Sequence, residues 1–212
     1  MNCRVKLENF DIHKVLTPKE VEKLSLKKFS KSEVVYSQDT IQILIFKSGR
    51  ARVVFYEKGE SFILHYLQKN NIFVLDENCV VEFMEDSEVY FISSAIVFTL
   101  FKNLHFTNII LASMAKSISL EREVIKTLVF NSCKSRIASF FLDMASAVGE
   151  QRYDGILIDL TMSINEFANL IASKRQTVSS VLNEMINNGV IKKYKNQKYL
   201  IRDLKRLKQY AE

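Results

Sequence analysis

The segment SINEFANLIASKRQTVSSVLNEM, residues 163–185, decides how the rest of the chain is interpreted. Its apolar residues recur at helical spacing, which predicts two short amphipathic helices. Ser163 followed by Glu166 is a capping-box pattern, and Ser173 followed by Gln176 repeats that pattern at the start of the second helix. Two capped helices joined by a short turn are typical of a helix-turn-helix.

The second helix of this segment carries polar residues that packing alone does not require. In a helix-turn-helix, the second helix enters the DNA major groove by its N-terminal end. Arg175, Gln176 and Ser180 would then face base edges, where arginine suits guanine and glutamine suits adenine. The candidate phosphate contacts are hydroxyl and lysine side chains of both helices and of the segment after them: Ser163, Ser173, Lys174, Thr177, Ser179, Lys192, Lys195 and Lys198. An ordinary helical hairpin without a DNA function is the alternative.

The positive charge of the chain lies at the same end. Of the 30 Lys and Arg and 24 Asp and Glu, residues 160–212 hold 10 and 4, so residues 1–159 hold 20 of each. A concentrated basic segment favours a polyanionic partner, although a solvated lysine-rich face would have the same composition. Residues 189–201 predict a β-hairpin around Lys195-Asn196 that would act as a wing along the DNA backbone, and a basic amphipathic helix ends the chain.

The N-terminal half has a different pattern. The first 30 residues look helical, with Thr17 and Pro18 as a start signal. Residues 33–92 then contain short runs rich in Val, Ile, Phe and Tyr, separated by turn signals such as Ser48-Gly49 and Lys58-Gly59. Such runs predict an antiparallel sandwich or a small barrel.

A long helical region follows the predicted strands. It contains a seam in which side chains alternate at spacings of three and four: Leu111, Met114, Ile118, Glu121, Ile125 and Leu128. Such a heptad pattern favours a dimerisation helix, and a helix lying on its own barrel is the alternative. Asn131-Ser132 should end this helix, and a second helix should run to Gly149. A short linker from Gly149 to Gly155 and a strand then lead to the opening motif.

These patterns predict an α+β protein with three parts: a β-barrel sensor domain at 1–102, a dimerisation helix at 103–130 and a winged helix-turn-helix domain at 131–212. The three cysteines, Cys3, Cys79 and Cys133, are far apart and in no CxxC spacing. This pattern argues against a disulfide framework or a zinc site, and it favours a protein of the reducing cytoplasm. We expect no membrane association, since no long apolar tract and no secretory signal pattern is present.

The chain resembles the Crp/Fnr transcription regulators over essentially its whole length. The matching motifs are FANLIASKRQTVSSVLNEM, SRIASFFLDMA, LTMSINE, SGRARV and ILHYLQKNNIF. The resemblance implies a jelly roll of the cyclic-nucleotide-binding type, a cytoplasmic homodimer and a two-fold symmetric site on double-stranded DNA. It also implies contact with RNA polymerase if the protein is an activator.

The motif departs from the family pattern at the positions that read bases. Many members have Arg-Glu at the start of the recognition helix and an arginine four residues after the glutamate. This chain has Arg175, Gln176 and Ser180 instead, which weakens the expectation of the usual TGA-type core and favours a more A·T-rich half-site. Ala172 stands where the family often has glycine in the turn, and we expect the turn to close.

The sensor region lacks the residues that would hold known family cofactors. In NIFVLDENCVVEFMEDSEVYFI, the Gly-Glu-Leu and Arg-Ser-Ala stretches that bind a cyclic nucleotide are both missing, and Glu121 and Arg122 occupy the helix positions that would meet the base. A buried cyclic phosphate would thus lack its arginine. Only Cys3 lies near the N-terminus, which disfavours an iron–sulfur cluster. We interpret Cys79 and Cys133 as buried apolar residues.

No cofactor is evident, and haem remains open because three histidines are present. His13, His65 and His105 are each interpreted as ordinary surface or core residues. We expect a signal other than a cyclic nucleotide, such as nitrosative or redox stress, or no effector. The alternatives are a small-molecule-binding barrel and a cupin-like enzyme, but a cupin metal site needs paired histidines, and the predicted barrel has only His65. For these reasons we expect no enzyme and no metal. A non-DNA interaction module is a further alternative, but it would leave the C-terminal positive charge unexplained.

Overall fold

The computed structural model describes residues 11–37, 42–194 and 197–212. The chain divides into two compact units, and the boundary lies between Glu123 and Val124. That boundary falls inside the long central helix, α4, which spans Leu104–Phe130. Each unit has its own apolar core.

The N-terminal unit begins with two short helices, α1 (Ile12–Val15) and α2 (Pro18–Val21). Thr17 and Glu20 form a capping box at α2, as the start signal predicts. The prediction of helix through residue 30 is wrong, because Ser25–Phe29 forms strand β1 and pairs with residues 87–91. Backbone pairing along that edge outweighs the weak helical pattern of SLKKF.

Seven further strands complete the predicted β-structure of this unit. They are β2 (Val34–Tyr36), β3 (Gln42–Ser48), β4 (Arg50–Glu57), β5 (Glu60–Gln68), β6 (Ile72–Leu75), β7 (Val80–Phe83) and β8 (Ser87–Ile92). They form two four-stranded antiparallel sheets in the orders β1-β8-β3-β6 and β2-β7-β4-β5. The alternating apolar residues of these strands are buried between the sheets, which confirms the antiparallel two-sheet prediction.

Helix α3 (Ser94–Leu100) and the first part of α4 complete the unit. One face of α4 is buried through Phe106, Ile110 and Ser113. The Ser113 hydroxyl donates to the Ile72 carbonyl at 3.3 Å, which ties that face to β6. The helix therefore does lie on its own sheets, but through residues other than the predicted seam.

The C-terminal unit is built on α5 (Cys133–Val148), which Ser132 caps and Gly149 ends, as predicted. A four-stranded sheet has the order β11-β12-β10-β9, from β9 (Glu150–Arg152), β10 (Gly155–Asp159), β11 (Ile191–Lys193) and β12 (Lys198–Ile201). The segment that we predicted as a linker after Gly149 is thus partly strand β9, since it pairs with β10 through a tight turn.

Three helices complete this unit: α6 (Ile164–Ile171), α7 (Arg175–Asn187) and α8 (Leu204–Ala211). Aromatic side chains connect α6 to α5, and α5 to β12. The Phe167 ring lies 5.0 Å from that of Phe140 and 6.2 Å from that of Phe141, and Phe141 meets Tyr199 edge-on at 5.4 Å. The predicted turn at Lys195-Asn196 lies outside the described residues, but β11 and β12 on either side of it pair as a hairpin. None of the described helices is long and apolar enough to cross a membrane.

The most deeply buried polar side chain described in the N-terminal unit is a histidine. His65 on β5 is 1% exposed, its Nε2 has no hydrogen-bond partner, and its ring meets Phe73 edge-on at 5.4 Å. Burial lowers the pKa of His65 from 6.5 to about 4, because the apolar surroundings disfavour the charged ring.

This histidine should make the folded state sensitive to acid. Between pH 6.5 and about 4, the unfolded chain binds a proton at His65 that the folded chain does not. The free energy of unfolding should therefore fall as the pH drops through that window, by up to about 3 kcal/mol from this group. In urea titrations at several pH values, His65→Leu should lose stability less steeply than the wild type.

The matched control is His105→Leu, since His105 is exposed on α4. It should keep the pH dependence of the wild type. Equal slopes for wild type and His65→Leu over the window would show that His65 does not remain neutral in the folded state.

Candidate nucleic-acid interface

Helix α6 begins with the predicted capping box. The Ser163 hydroxyl accepts the Glu166 backbone N–H at 3.1 Å, and the Glu166 carboxylate accepts the Ser163 N–H at 2.9 Å. Side chains on the inner face of α6 are fully buried: Phe167, Ala168, Leu170 and Ile171. The cap thus fixes where the helix starts, and the buried face fixes its rotation.

The turn after α6 closes at Ala172, in the left-handed conformation with φ 53° and ψ 55°. An alanine there costs about 1–2 kcal/mol relative to an ordinary helical conformation. The Ser173 N–H donates to the Ala168 carbonyl at 3.0 Å, so the chain folds back onto the helix it has just left. This confirms the expectation that the turn closes without glycine.

The second predicted capping box is wrong. The N-cap of α7 is Lys174 rather than Ser173, and no side chain caps it. The reason is that Ser173 belongs to the turn, where its N–H closes onto α6, so its hydroxyl lies one residue too early to cap. The first-turn amides of α7 are left without a side-chain acceptor, and such a helix end favours an anion.

The exposed face of α7 carries the residues that we predicted to read bases. Arg175, Gln176 and Ser180 are all exposed, and Gln176 and Ser180 lie one helical turn apart. Val178, Leu182 and Met185 form the buried face that packs inward. The structure thus brings the three predicted base-reading residues together at the start of one exposed helix.

The residues predicted to contact phosphate differ in their exposure and in whether their charge is already paired. Lys174 and Thr177 are exposed beside Arg175, whereas Ser173 and Ser179 are half-buried. Lys192 is exposed, with its Nζ 5.1 Å above the Tyr194 ring, while the Lys198 Nζ lies 3.5 Å from the Asp159 carboxylate. Lys195 lies outside the described residues. We therefore expect Lys192 to contribute more to an anion-binding surface than Lys198, whose charge is partly neutralised.

The predicted seam of α4 forms an exposed apolar stripe. Leu111 is 58% exposed, Ile118 45% and Ile125 60%, and Met114 and Leu128 are also exposed. Glu121 is the charged member of the seam and is half-buried. An apolar stripe of this length on one helix is unusual for a surface that faces only water.

A cavity of about 400 Å³ lies in the N-terminal unit beside α4. Apolar side chains such as Phe55 and Phe73 line it, together with Asp76, Cys79 and Glu121. Burial and the nearby Asp76 carboxylate raise the pKa of Glu121, and burial with Asp76 raises the pKa of Cys79 to about 12. No Lys or Arg lines the cavity within the described chain, so it disfavours an anion.

The described lining of this cavity contains no histidine, the commonest haem ligand. Its sulfur-bearing side chains are Met114 and Cys79. Burial raises the pKa of Cys79 to about 12, so the free thiol is protonated. In the part of the chain that the structure describes, no three His, Cys, Asp or Glu side chains are grouped to hold a metal ion.

Comparison with known proteins shows what kind of domain this interface belongs to. Residues 135–210 match the family of Crp-like helix-turn-helix domains. The C-terminal unit thus contains a Crp-like helix-turn-helix domain. The Global nitrogen regulator of Synechococcus elongatus (strain ATCC 33912 / PCC 7942 / FACHB-805) is 28% identical to it over 152 residues, which cover 67% of this chain and 68% of that protein.

Solved structures share the whole fold. A CooA mutant from Carboxydothermus hydrogenoformans superposes with a TM-score of 0.81 at 23% identity, covering 99% of both chains. A protein assigned to the Crp/Fnr family from Eubacterium rectale superposes with a TM-score of 0.72 at 20% identity, covering 96% of this chain and 98% of that one. The names of these two relatives, the Synechococcus and Eubacterium proteins, describe regulators rather than enzymes.

Sequence reasoning missed the polar contacts that hold the Crp-like helix-turn-helix to α5. The Lys134 Nζ lies 2.6 Å from the Glu184 carboxylate on α7 and 4.9 Å above the Tyr210 ring on α8. Arg136 donates to backbone carbonyls of the turn after α6. The segment SRIASFFLDMA contains both an exposed and a buried face, but no spacing rule relates Arg136 to a turn 35 residues later.

The two serines of the motif should differ in their effect on stability. Ser163→Ala removes a cap and should lower the free energy of unfolding by about 1 kcal/mol, because the Glu166 N–H loses its acceptor. Ser173→Ala removes no cap and should change it by no more than about 0.5 kcal/mol. Urea denaturation of the two variants measures both values.

The sequence pattern predicts a cap at both serines, whereas the structure has a cap at Ser163 only. If Ser173→Ala destabilised the protein as much as Ser163→Ala, Ser173 would be capping α7.

Proposed function

We propose that the protein is a homodimeric, sequence-specific DNA-binding regulator in which α7 reads bases in the major groove. The observation that carries this proposal is the start of α7, where Arg175, Gln176 and Ser180 are exposed and no side chain caps the first-turn amides. Arg175 would bond a guanine edge and Gln176 an adenine edge, each through paired hydrogen bonds. The amides and Lys174 would bind phosphate.

The surrounding surface supports the same proposal. The hairpin of β11 and β12 carries exposed Lys192 beside α7 in the sequence, as a wing along the DNA backbone would require. The positive excess of residues 160–212 would attract the DNA from a distance. We propose 131–212 as the DNA-binding domain, 103–130 as the dimerisation helix and 1–102 as the sensor domain. A protein that acts on bacterial promoters works in the cytoplasm.

The dimer is proposed from the apolar seam of α4. Pairing two such seams in parallel would bury the exposed Leu111, Ile118 and Ile125, and would place two copies of α7 for symmetric half-sites. If the protein activates transcription, RNA polymerase would be its further partner. The departure at Gln176 and Ser180 from the common family residues supports a more A·T-rich half-site.

The signal is proposed to be other than a cyclic nucleotide. The cavity beside α4 carries Asp76 and Glu121 where a cyclic phosphate would need a cation. Its apolar walls and carboxylates suit a neutral or cationic molecule, or a state without effector. A nitrosative or redox signal agrees poorly with Cys79, because burial keeps its thiol protonated and unreactive.

Base reading by α7 can be tested with a duplex that the wild type selects from a random DNA pool. Arg175→Ala should lower the ratio of specific to nonspecific affinity by about 5- to 100-fold, the range for one paired base contact. Lys192→Ala should instead weaken binding to all sequences and reduce the salt slope by about 1. Fluorescence anisotropy at several salt concentrations measures both effects.

Lys205→Ala is the control, since Lys205 is exposed on α8 outside the proposed interface. Equal sequence discrimination by the wild type and Arg175→Ala would mean that α7 does not read the bases.

The dimer can be tested by placing charge in the seam. Leu111→Glu combined with Ile118→Glu should yield monomers, because a buried unpaired carboxylate costs several kcal/mol. Ala112→Glu combined with Ser119→Glu adds the same charges at the same spacing on another exposed side of α4, and should leave the dimer intact. Sedimentation equilibrium distinguishes the two states, and a dimer that survives the seam substitutions would contradict the proposed interface.

A further inference from the structure

The turn between α6 and α7 leaves backbone carbonyls at the end of α6 that neither helix can satisfy. The last carbonyls of a helix have no partner within it. The Ala172 and Ser173 N–H groups fold back onto Asn169 and Ala168, which leaves the carbonyls of Ile171 and Ala172. Both accept from one side chain on α5: the Arg136 Nε donates to Ile171 at 2.9 Å and the Nη2 to Ala172 at 3.2 Å.

The same guanidinium also holds the residue that follows α4. Its Nη1 donates to the Asn131 carbonyl at 2.8 Å, and Asn131 comes directly after Phe130, the last residue of α4. The C-terminal ends of α4 and α6 both carry partial negative charge, so a cation between them is favourable. The planar fork of arginine can direct three donors at three carbonyls, which a lysine ammonium cannot do in the same geometry.

The start of α7 has little else to define it among the described residues. Its N-cap, Lys174, makes no side-chain cap, and Ala172 holds a left-handed conformation that alanine disfavours. The ion pair of Glu184 with Lys134 lies in the last part of the helix, away from the exposed Arg175. The turn therefore positions the first residues of α7, and Arg136 holds the turn.

We infer that Arg136 is a positioning residue for base reading: it holds the turn before α7 and the end of α4 to one guanidinium, and so sets the pose of Arg175 and Gln176. This inference rests on the proposed reading role of α7. Arg136 itself touches no base in this scheme, since each of its three nitrogens already donates to a backbone carbonyl. Its loss should thus affect which DNA is bound rather than whether DNA is bound.

The test compares Arg136→Gln and Arg136→Lys with the wild type on the selected duplex and on a scrambled duplex, at a temperature where circular dichroism shows every variant folded. Arg136→Gln should lower the ratio of specific to scrambled affinity by at least about tenfold, the order of one lost base contact. The salt slope should stay that of the wild type, because no phosphate contact is removed. Arg136→Lys keeps the charge and should recover part of the lost discrimination.

Arg206→Gln is the matched control. The Arg206 Nη1 also donates to a backbone carbonyl, that of Asn188 at 3.1 Å, but at the far end of α7. Its discrimination should stay within about twofold of the wild type. An unchanged ratio for folded Arg136→Gln, or an equal loss in Arg206→Gln, would overturn the inference. Arg175→Ala in the same assay tests the reading role of α7 separately. If α7 did not read bases, Arg175→Ala would keep the wild-type ratio of specific to scrambled affinity.

Discussion

The packing of α6 against α5 is the constraint on which the proposed DNA-binding surface depends. Phe167 on α6 lies among the rings of Phe140 and Phe141, and Phe141 in turn contacts Tyr199 of the sheet. A buried phenylalanine removes about 150–250 Å² from water, which corresponds to several kcal/mol. That gain exceeds the cost of about 1–2 kcal/mol for a left-handed Ala172, so the turn can close without glycine. With α6 fixed in this way, α7 packs inward through Val178, Leu182 and Met185, and its polar face is left exposed.

Helix α4 uses one face to pack within the N-terminal unit and another for the proposed dimer contact. Phe106, Ile110 and Ser113 are buried in the N-terminal unit, while the apolar seam residues at heptad spacing remain exposed. A single helix can do this because residues three and four apart share a face while their neighbours point elsewhere. Glu121 belongs to the seam and also lines the cavity with Asp76, so a change of charge in the cavity would be felt at the proposed dimer contact.

The cavity illustrates how a shared fold carries different chemistry. Its position between sheet and helix comes from the fold, but its charge comes from single side chains on β-strand ends and on α4. Burial and the nearby Asp76 carboxylate together raise the pKa of Glu121. A likeness in fold does not determine this charge, so the carboxylates of the described lining, rather than the solved structures, support the proposed class of ligand.

The sequence by itself determined the order of the parts, since periodicities of two and of 3.6 depend only on local spacing. It predicted the two-sheet unit, the bounds of α5, the capping box at Ser163 and the exposed face of α7. Tertiary structure alone decided that residues 25–29 pair as a strand, that Ser173 closes a turn instead of capping a helix, and that His65 is buried without a partner for Nε2. It also decided that Arg136 serves carbonyls at two helix ends, because a contact between residues 35 positions apart depends on how helices pack, which no local pattern records.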